Sequence, residues 1–326
     1  MPGRHKKNCF SCLTIFLFIC VFLTEVLAAE RYPTKEIQMV TATAPGTFSD
    51  IAVRLMTDSL GKNLGVPIVV NNRTGGAGAT GTHFLVKSKP DGYTIGCISS
   101  YQVVLLPATV PGVPYRYSDL DPLCKYNSSP TIVFCKGDVP WKTLEDLVAD
   151  AKRRPGQINY GATTSSVSHF LMEGFLKAAG IKMMHVPLPD ALQTITRILG
   201  GNLDVGVVAL APLVGQLKAG TVKALFLTTP ERVSTFPQIP TLEEKGYNAV
   251  AFNLYNGFFA PLGMPKSVRE TLVKALEKTI KDPTLKKKLE EVELVLEYLP
   301  AEAFGKELEE DYKRIIEIAK TIEPNR

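Results

Sequence analysis

The sequence predicts an α/β protein of two units, each a mostly parallel sheet flanked by helices. Three observations predict it. The 326 residues exceed the span of one ordinary domain, which is roughly 100–200 residues. Short runs rich in Val and Ile alternate with runs of helical apolar spacing, the pattern of β-α-β units. No fixed-period repeat and no low-complexity linker divides the chain. The joints between the units are therefore expected to be strand-like crossovers, near residues 126–131 and 250–256.

The elements follow in order. Residues 1–29 stand apart: Arg4, His5, Lys6 and Lys7 precede the apolar run Cys12–Leu23 and the small residues Ala28 and Ala29. This is the plan of a secretory signal peptide, cut after Ala28 or Ala29. The run is short for a spanning helix, which needs about 20 apolar residues. "EIQMVTATAP" reads as a strand, and "SDIAVRLMTDSLGKNLG" as a helix capped by Ser49 or Asp50. "VPIVVNN" is a second strand, "TGTHFLVKSKP" a helix and "DGYTIGCISS" a turn and strand. The second unit opens with the strand "PTIVFCKGD" and a helix from Lys142–Thr143 to Pro155-Gly156. Next come strand, polar loop and helix in "INYGATTSSVSHFLMEGFLKAAG". "MMHVPLPDALQTITRILGGNLDVGVVAL" holds two strands around a helix, and "VKALFLTT" is a further strand. "NLYNGFFAP", the helix "SVRETLVKALEKTI", the strand "LVLEYLP" and a terminal helix from residue 301 complete the chain.

Losing the leader removes Arg4, Lys6, Lys7 and Glu25, so the formal charge falls from +5 to +3. The basic stretch Lys281–Lys288 is followed by Glu290, Glu291 and Glu293 and reads as a solvated helix. No clustered footprint for nucleic acid results. Three cysteines remain, Cys97, Cys124 and Cys135. Their odd number leaves at least one unpaired within the chain. A Cys124–Cys135 disulfide is compatible with an oxidising compartment, and spacing alone leaves it open.

Gly76-Ala77-Gly78-Ala79-Thr80-Gly81 matches G-x-G-x-x-G. A dinucleotide fingerprint also needs an acidic residue at the end of the next strand, and here that strand ends in Ser99-Ser100-Tyr101. The glycines are better read as backbone geometry, and no cofactor is expected.

Ligands in open α/β sheets gather beyond the carboxyl ends of strands, near helix N-termini. Four loops lie there: 43–50 with Thr47, Phe48, Ser49 and Asp50; 99–102 with Ser99, Ser100 and Tyr101; 163–169 with Thr164, Ser165, Ser166 and Ser168; and 187–190 with Pro189 and Asp190. The third loop is rich in hydroxyls and has no cation. One of them would cap the following helix; together they can wrap an anion. Asp50 has two readings, a first-turn carboxylate complementing the helix dipole or an acceptor for a ligand. Catalytic signatures are missing: no G-x-S-x-G, no H-E-x-x-H, no C-x-x-C after the leader. No metal site is expected. His169 beside Ser166 and Ser168 leaves a secreted hydrolase as the rival reading.

In order along the mature chain, "YPTKEIQMVTATAPGTFSDIAVRLM", "VPIVVNNRTGGAGATG", "KPDGYTI", "RPGQINYG", "HVPLPDALQTITRILGGNLDVG", "LKAGTVKAL", "FPQIPTLEEKGY" and "NGFFAPLGMPKSV" resemble the motifs of the substrate-binding receptors of tripartite tricarboxylate transporters, the Bug-type receptors. The resemblance implies a two-lobed periplasmic binding protein fold of type II. Lobe 1 would comprise 30–128 and 254–326, and lobe 2 would comprise 129–253. It implies a monomer outside the cytoplasm that holds a small organic carboxylate between its lobes and presents it to a membrane permease, or alternatively to a sensor kinase. Backbone amides and hydroxyls of Thr47, Phe48, Ser49, Asp50, Thr164, Ser165, Ser166 and Ser168 would hold the carboxylate. The chain departs from the family at three places. Thr47 replaces the second glycine of P-G-G, Pro189-Asp190 replaces Lys-Gly, and the serine loop is one residue shorter and has no glycine. Losing that Lys and gaining an Asp disfavours a polyanion such as citrate. The expected ligand is a monocarboxylate, or a carboxylate that also carries an amine, hydroxyl or aromatic group.

Overall fold

The computed structural model describes residues 32–163, 166–229, 231–247, 252–290, 294 and 296–322. The leader lies outside the described residues. The first unit runs β1 (Ile37–Thr41), α1 (Phe48–Leu64), β2 (Ile68–Asn72), α2 (Ala79–Val86), β3 (Thr94–Ser99) and β4 (Leu120–Ser129). The second runs β5 (Thr131–Lys136), α3 (Leu144–Arg153), β6 (Asn159–Ala162), α4 (Val167–Ala179), β7 (Met184–Pro187), α5 (Ala191–Leu199), β8 (Val205–Ala209) and β9 (Val222–Leu227). The chain then returns as β10 (Leu254–Pro261), α6 (Lys266–Ile280), α7 (Pro283–Glu290), β11 (Leu296–Pro300) and α8 (Ala301–Ile322).

Two mixed sheets result, ordered β11-β4-β10-β3-β1-β2 and β7-β6-β8-β5-β9. In the first, β1 to β4 run one way and β10 and β11 the other; in the second, only β5 is reversed. The reversal has a simple cause. A strand that crosses from one sheet into another starts beside the ends of its new neighbours, so β5 runs against β8 and β9 and β10 against β3, while β11 returns through α6 and α7 and runs with β10. β4 becomes β5 across Pro130, and the return path from β9 enters β10 through Phe252 and Asn253. The two crossings touch: Thr228 N–H donates to Thr131 O at 2.9 Å, and Phe252 N–H donates to Thr228 O at 2.8 Å.

α1 shows how pattern becomes packing. Ala52, Val53, Met56 and Leu60 recur on one face and are buried against Ile37 and Met39 of β1 and Leu272 and Leu276 of α6. Gly65 ends the helix in the left-handed region (φ 74°), its N–H bonded to Gly61 O. α8 carries Phe304, Leu308 and Ile315 into a core shared with Tyr255 and Phe259 of the first sheet and with Phe175 of α4.

The structure revises several sequence expectations. β4 is a full strand from Leu120, where only a crossover near 126 was expected; "LDPLCKYNSS" has little β-branched character, and burial between β10 and β11 overrides propensity. Residues 101–109, with no expected element, form a short helical segment under apolar burial, a π-helix over Tyr101–Leu105 followed by an α-helical turn over Leu106–Thr109. Cys124 and Cys135 lie in different sheets, and all three described cysteines are free and buried, so the disulfide left open by spacing is not formed.

The glycine loop is a packing device. Ala77 sits at φ 56° between glycines, a left-handed conformation that costs a residue with a Cβ about 1–2 kcal/mol. Ala77→Gly is expected to raise stability by about 1 kcal/mol. The check is the midpoint of urea unfolding, and a lower midpoint would contradict the left-handed geometry.

Candidate functional site at the strand ends

Ser99 at the end of β3 lies opposite Asn256, and Ala209 at the end of β8 lies opposite Thr131. The carboxyl ends of the two parallel strand sets therefore approach the crossings from opposite sides. The loops after β1 and β3 stand on one side, and those after β6 and β7 on the other.

The loop after β1 turns at Gly46 (φ 77°) and enters α1 through Thr47. Thr47, not Ser49 or Asp50, is the N-cap: its hydroxyl accepts from Asp50 N–H at 3.4 Å and donates to Ala44 O at 2.8 Å. A hydroxyl residue with extended backbone suits this position. Ser49 is half-buried in the first turn, and Phe48 begins the helix.

Asp50 points inward and is 2% exposed. Oδ2 accepts from Gly46 N–H and from Arg54 Nε, both at 2.9 Å, and Oδ1 accepts from Asn72 Nδ2 at 2.7 Å. Asn72 Nδ2 also donates to Thr43 O at 3.1 Å, and Arg54 reaches Asn72 Oδ1 at 2.9 Å. Burial on its own would raise the Asp50 pKa, but its bonds from Arg54, Asn72 and Gly46 hold it down to about 2. Arg54 and Asn72 were not singled out from sequence. The i,i+4 spacing of Asp50 and Arg54 was the available signal for the first; nothing local marked the second.

In the loop after β3, Ser99 donates from its N–H and its hydroxyl to Gln102 Oε1. Ser100 is fully buried; its hydroxyl accepts from Tyr255 N–H at 3.1 Å and lies 3.4 Å from Asn253 O. It ties this loop to the return crossing. Tyr101 is half-buried, and burial raises its pKa.

On the other side, Thr164 and Ser165 lie outside the described residues. Ser166 caps α4, its hydroxyl accepting from His169 N–H at 3.3 Å, and Ser168 is half-buried in the first turn. His169 stacks on His185 with ring centroids 4.0 Å apart and an angle of 16°, and its Nε2 lies 3.9 Å from Glu173 Oε1. Burial and then the neighbouring His185 lower its pKa, against the pull of Glu173. Tyr160 supports the pair from beneath and donates its hydroxyl to Glu173. The imidazole thus faces another ring and a carboxylate. Leu188 N–H bonds Ala162 O at 3.2 Å, joining the loops after β6 and β7. Asp190 caps α5 by accepting from Gln193 N–H at 2.8 Å, and both it and Pro189 are exposed.

A surface depression of about 270 Å³ lies elsewhere, beside α3 between Val148, Lys152 and Tyr247. Its lining shares no residue with these loops. Among the described residues no group of three His, Cys, Asp or Glu side chains is placed to hold a metal. The strand-end loops offer hydroxyls, main-chain N–H groups and few charges, which is chemistry for grasping a small polar solute.

The comparisons agree with that geometry. The sequence profile of the tripartite tricarboxylate transporter family receptor matches residues 52–323. BugT of Bordetella pertussis is 28% identical over 240 residues, covering 73% of this chain and 74% of BugT. A solute-binding protein of the same family from Polaromonas, solved without ligand, is 24% identical with a TM-score of 0.81, over 88% of this chain and 98% of that one. MatC of Rhodopseudomonas palustris, solved with bound malate, is 21% identical with a TM-score of 0.68, over 88% of this chain and 100% of MatC. With the profile spanning most of its length, the chain belongs to the receptor family of the tripartite tricarboxylate transporters.

Proposed function

We propose that the protein is an extracytoplasmic receptor that captures one small organic carboxylate between two lobes and delivers it to a tripartite tricarboxylate-type permease. Lobe 1 comprises 30–128 and 254–326 and lobe 2 comprises 129–253, hinged near residues 126–131 and 250–256. The leader 1–29 directs export. The observation that carries the reading is the uncharged hydroxyl set at the strand ends: Ser49 and Ser168 in the first turns of α1 and α4, and Ser166 capping α4. Backbone donors at helix starts favour an anion. Closure needs only that the solute bind the closed state better than the open one. MatC supports the ligand class by analogy with its malate.

Asp190 sets the finer choice. Its carboxylate stands exposed beside Pro189, which takes the place of the family's lysine, so a polyanion meets repulsion at this rim and finds no cation there. The ligand is a monocarboxylate or a carboxylate carrying a hydroxyl, amine or aromatic group. The test is a thermal-shift series on the mature protein with malate, glutamate, benzoate, adipate and citrate. A ligand at 100 times its dissociation constant adds about 2.7 kcal/mol. Malate, glutamate or benzoate is expected to give the largest shift; citrate giving it would overturn the charge argument. Silence toward all five at millimolar concentration would overturn the reading.

A further inference from the structure

The carboxylate of Asp50 is used up inside its own loop. Both oxygens are taken by donors, and the donors belong to three separate pieces of chain: Gly46 of the turn, Arg54 of α1 and Asn72 at the end of β2. Asn72 in turn holds the Thr43 carbonyl at the other end of the same turn. The ring of bonds closes around residues 43–50, and each carboxylate oxygen already has a donor within it. We infer that Asp50 is a positioning residue, one that fixes the shape of the 43–47 turn and so places Thr47 and the start of α1 against the ligand without touching it. The inference rests on the receptor reading above and changes what that reading asks of Asp50, which the sequence offered as a ligand contact or a dipole partner.

The geometry has a chemical consequence. A carboxylate accepts at both oxygens; an amide accepts at one and donates at the other end. Asparagine at position 50 would turn an NH₂ group toward either Asn72 Nδ2 or the Gly46 and Arg54 donors, and the turn would lose a bond whichever way it flipped. The charge is matched as well, since Arg54 compensates Asp50, and the first-lobe half of the site presents no net charge from this pair.

Asp150 supplies a control with the same injury and no place at the strand ends. It is 8% exposed on α3 and accepts from Trp141 Nε1 at 2.9 Å, Arg153 at 3.0 Å and Arg154 at 2.6 Å. The experiment measures calorimetric dissociation constants of wild type, Asp50→Asn and Asp150→Asn for malate, glutamate, benzoate and adipate, with melting temperatures and backbone amide spectra alongside. Asp50→Asn is expected to weaken the tightest wild-type probe at least tenfold. Asp150→Asn is expected to lower the melting temperature and leave the affinity within twofold. The Gly46 amide resonance is expected to move in Asp50→Asn and to stay put when probe is added to wild type. Should Asp50→Asn fail to fold, Asn72→Ala opens the same ring and is expected to weaken binding by a similar factor. Asp50→Asn, or in its place Asn72→Ala, binding within twofold of wild type would overturn the inference. So would Asp150→Asn weakening binding as much as Asp50→Asn, or probe moving the Gly46 amide in wild type. A wild-type protein that binds none of the four probes would instead overturn the receptor reading, which is a different result.

Discussion

Asp311→Asn is expected to stabilise the protein strongly at pH 8, less at pH 6 and least at pH 5. Asp311 lies on α8, is 6% exposed, and its Oδ2 is buried with no hydrogen-bond partner. Glu307 of the same helix adds a like charge, while the Tyr255 hydroxyl, Arg314 and Lys125 of β4 favour the anion. Burial outweighs them and pushes the Asp311 pKa up to about 7. The sign follows from linkage. The folded chain prefers the neutral acid, so this group's contribution is fully present below the unfolded value near 4. It is lost as pH rises toward 7 and is constant above. Converted at about 1.4 kcal/mol per pKa unit, the loss is on the order of 4 kcal/mol above pH 7. Asparagine keeps the neutral shape at every pH. Thermal melts of both proteins across pH 5–8 check this; a difference that does not grow with pH would refute the account. Lys125 is a poor site for the same experiment. It is buried between Glu307 (2.9 Å) and Glu297 (3.4 Å), and removing it would leave carboxylates uncompensated.

Gly81→Ala is expected to destabilise the protein by about 3 kcal/mol, at the upper end of overpacking costs. A Cβ on Gly81 would stand 2.5 Å from Arg73 O and 3.1 Å from Ala42 Cα. Both are main-chain atoms, at the ends of β2 and β1, so no side chain can swing aside. The strain would fall on the segment that leads into the 43–47 turn, and weaker carboxylate binding is expected to accompany the lower stability. Gly46→Ala makes the comparison informative, because no atom lies within 4 Å of its Cβ position; its cost is the left-handed backbone alone, about 1–2 kcal/mol. Equal denaturation midpoints for the two variants would show that the close approach at Gly81 contributes nothing.

The difference between these glycines marks what sequence could and could not reveal. Strand and helix alternation, the apolar face of α1 and the Gly65 stop were legible because each is a local periodicity or a local backbone need. The G-x-G-x-x-G string was legible as geometry because the acidic partner of a dinucleotide site was missing. β4 was not, because its strand character comes from neighbours far away in sequence. The cap of α1 was misplaced by a few residues: Thr47, Ser49 and Asp50 are all plausible caps by type, and only the turn at Gly46 selects among them. Ser100 appeared as a loop hydroxyl, whereas its partners, Asn253 and Tyr255, are more than 150 residues away. Such long-range ties have no sequence period to announce them. In the serine loop, the spare hydroxyls were visible in the sequence, and Ser166 is the one spent on the cap.

Under the proposed reading the N-cap of α5 would join two jobs in one side chain, and selectivity and helix start would be entangled at residue 190. Lysine there would exchange the charge and at the same stroke strip Gln193 N–H of its acceptor. Serine at that position would keep an oxygen for the amide while lifting the negative charge. Anyone redesigning this rim to admit a more highly charged acid has a route that leaves the second lobe's scaffold intact.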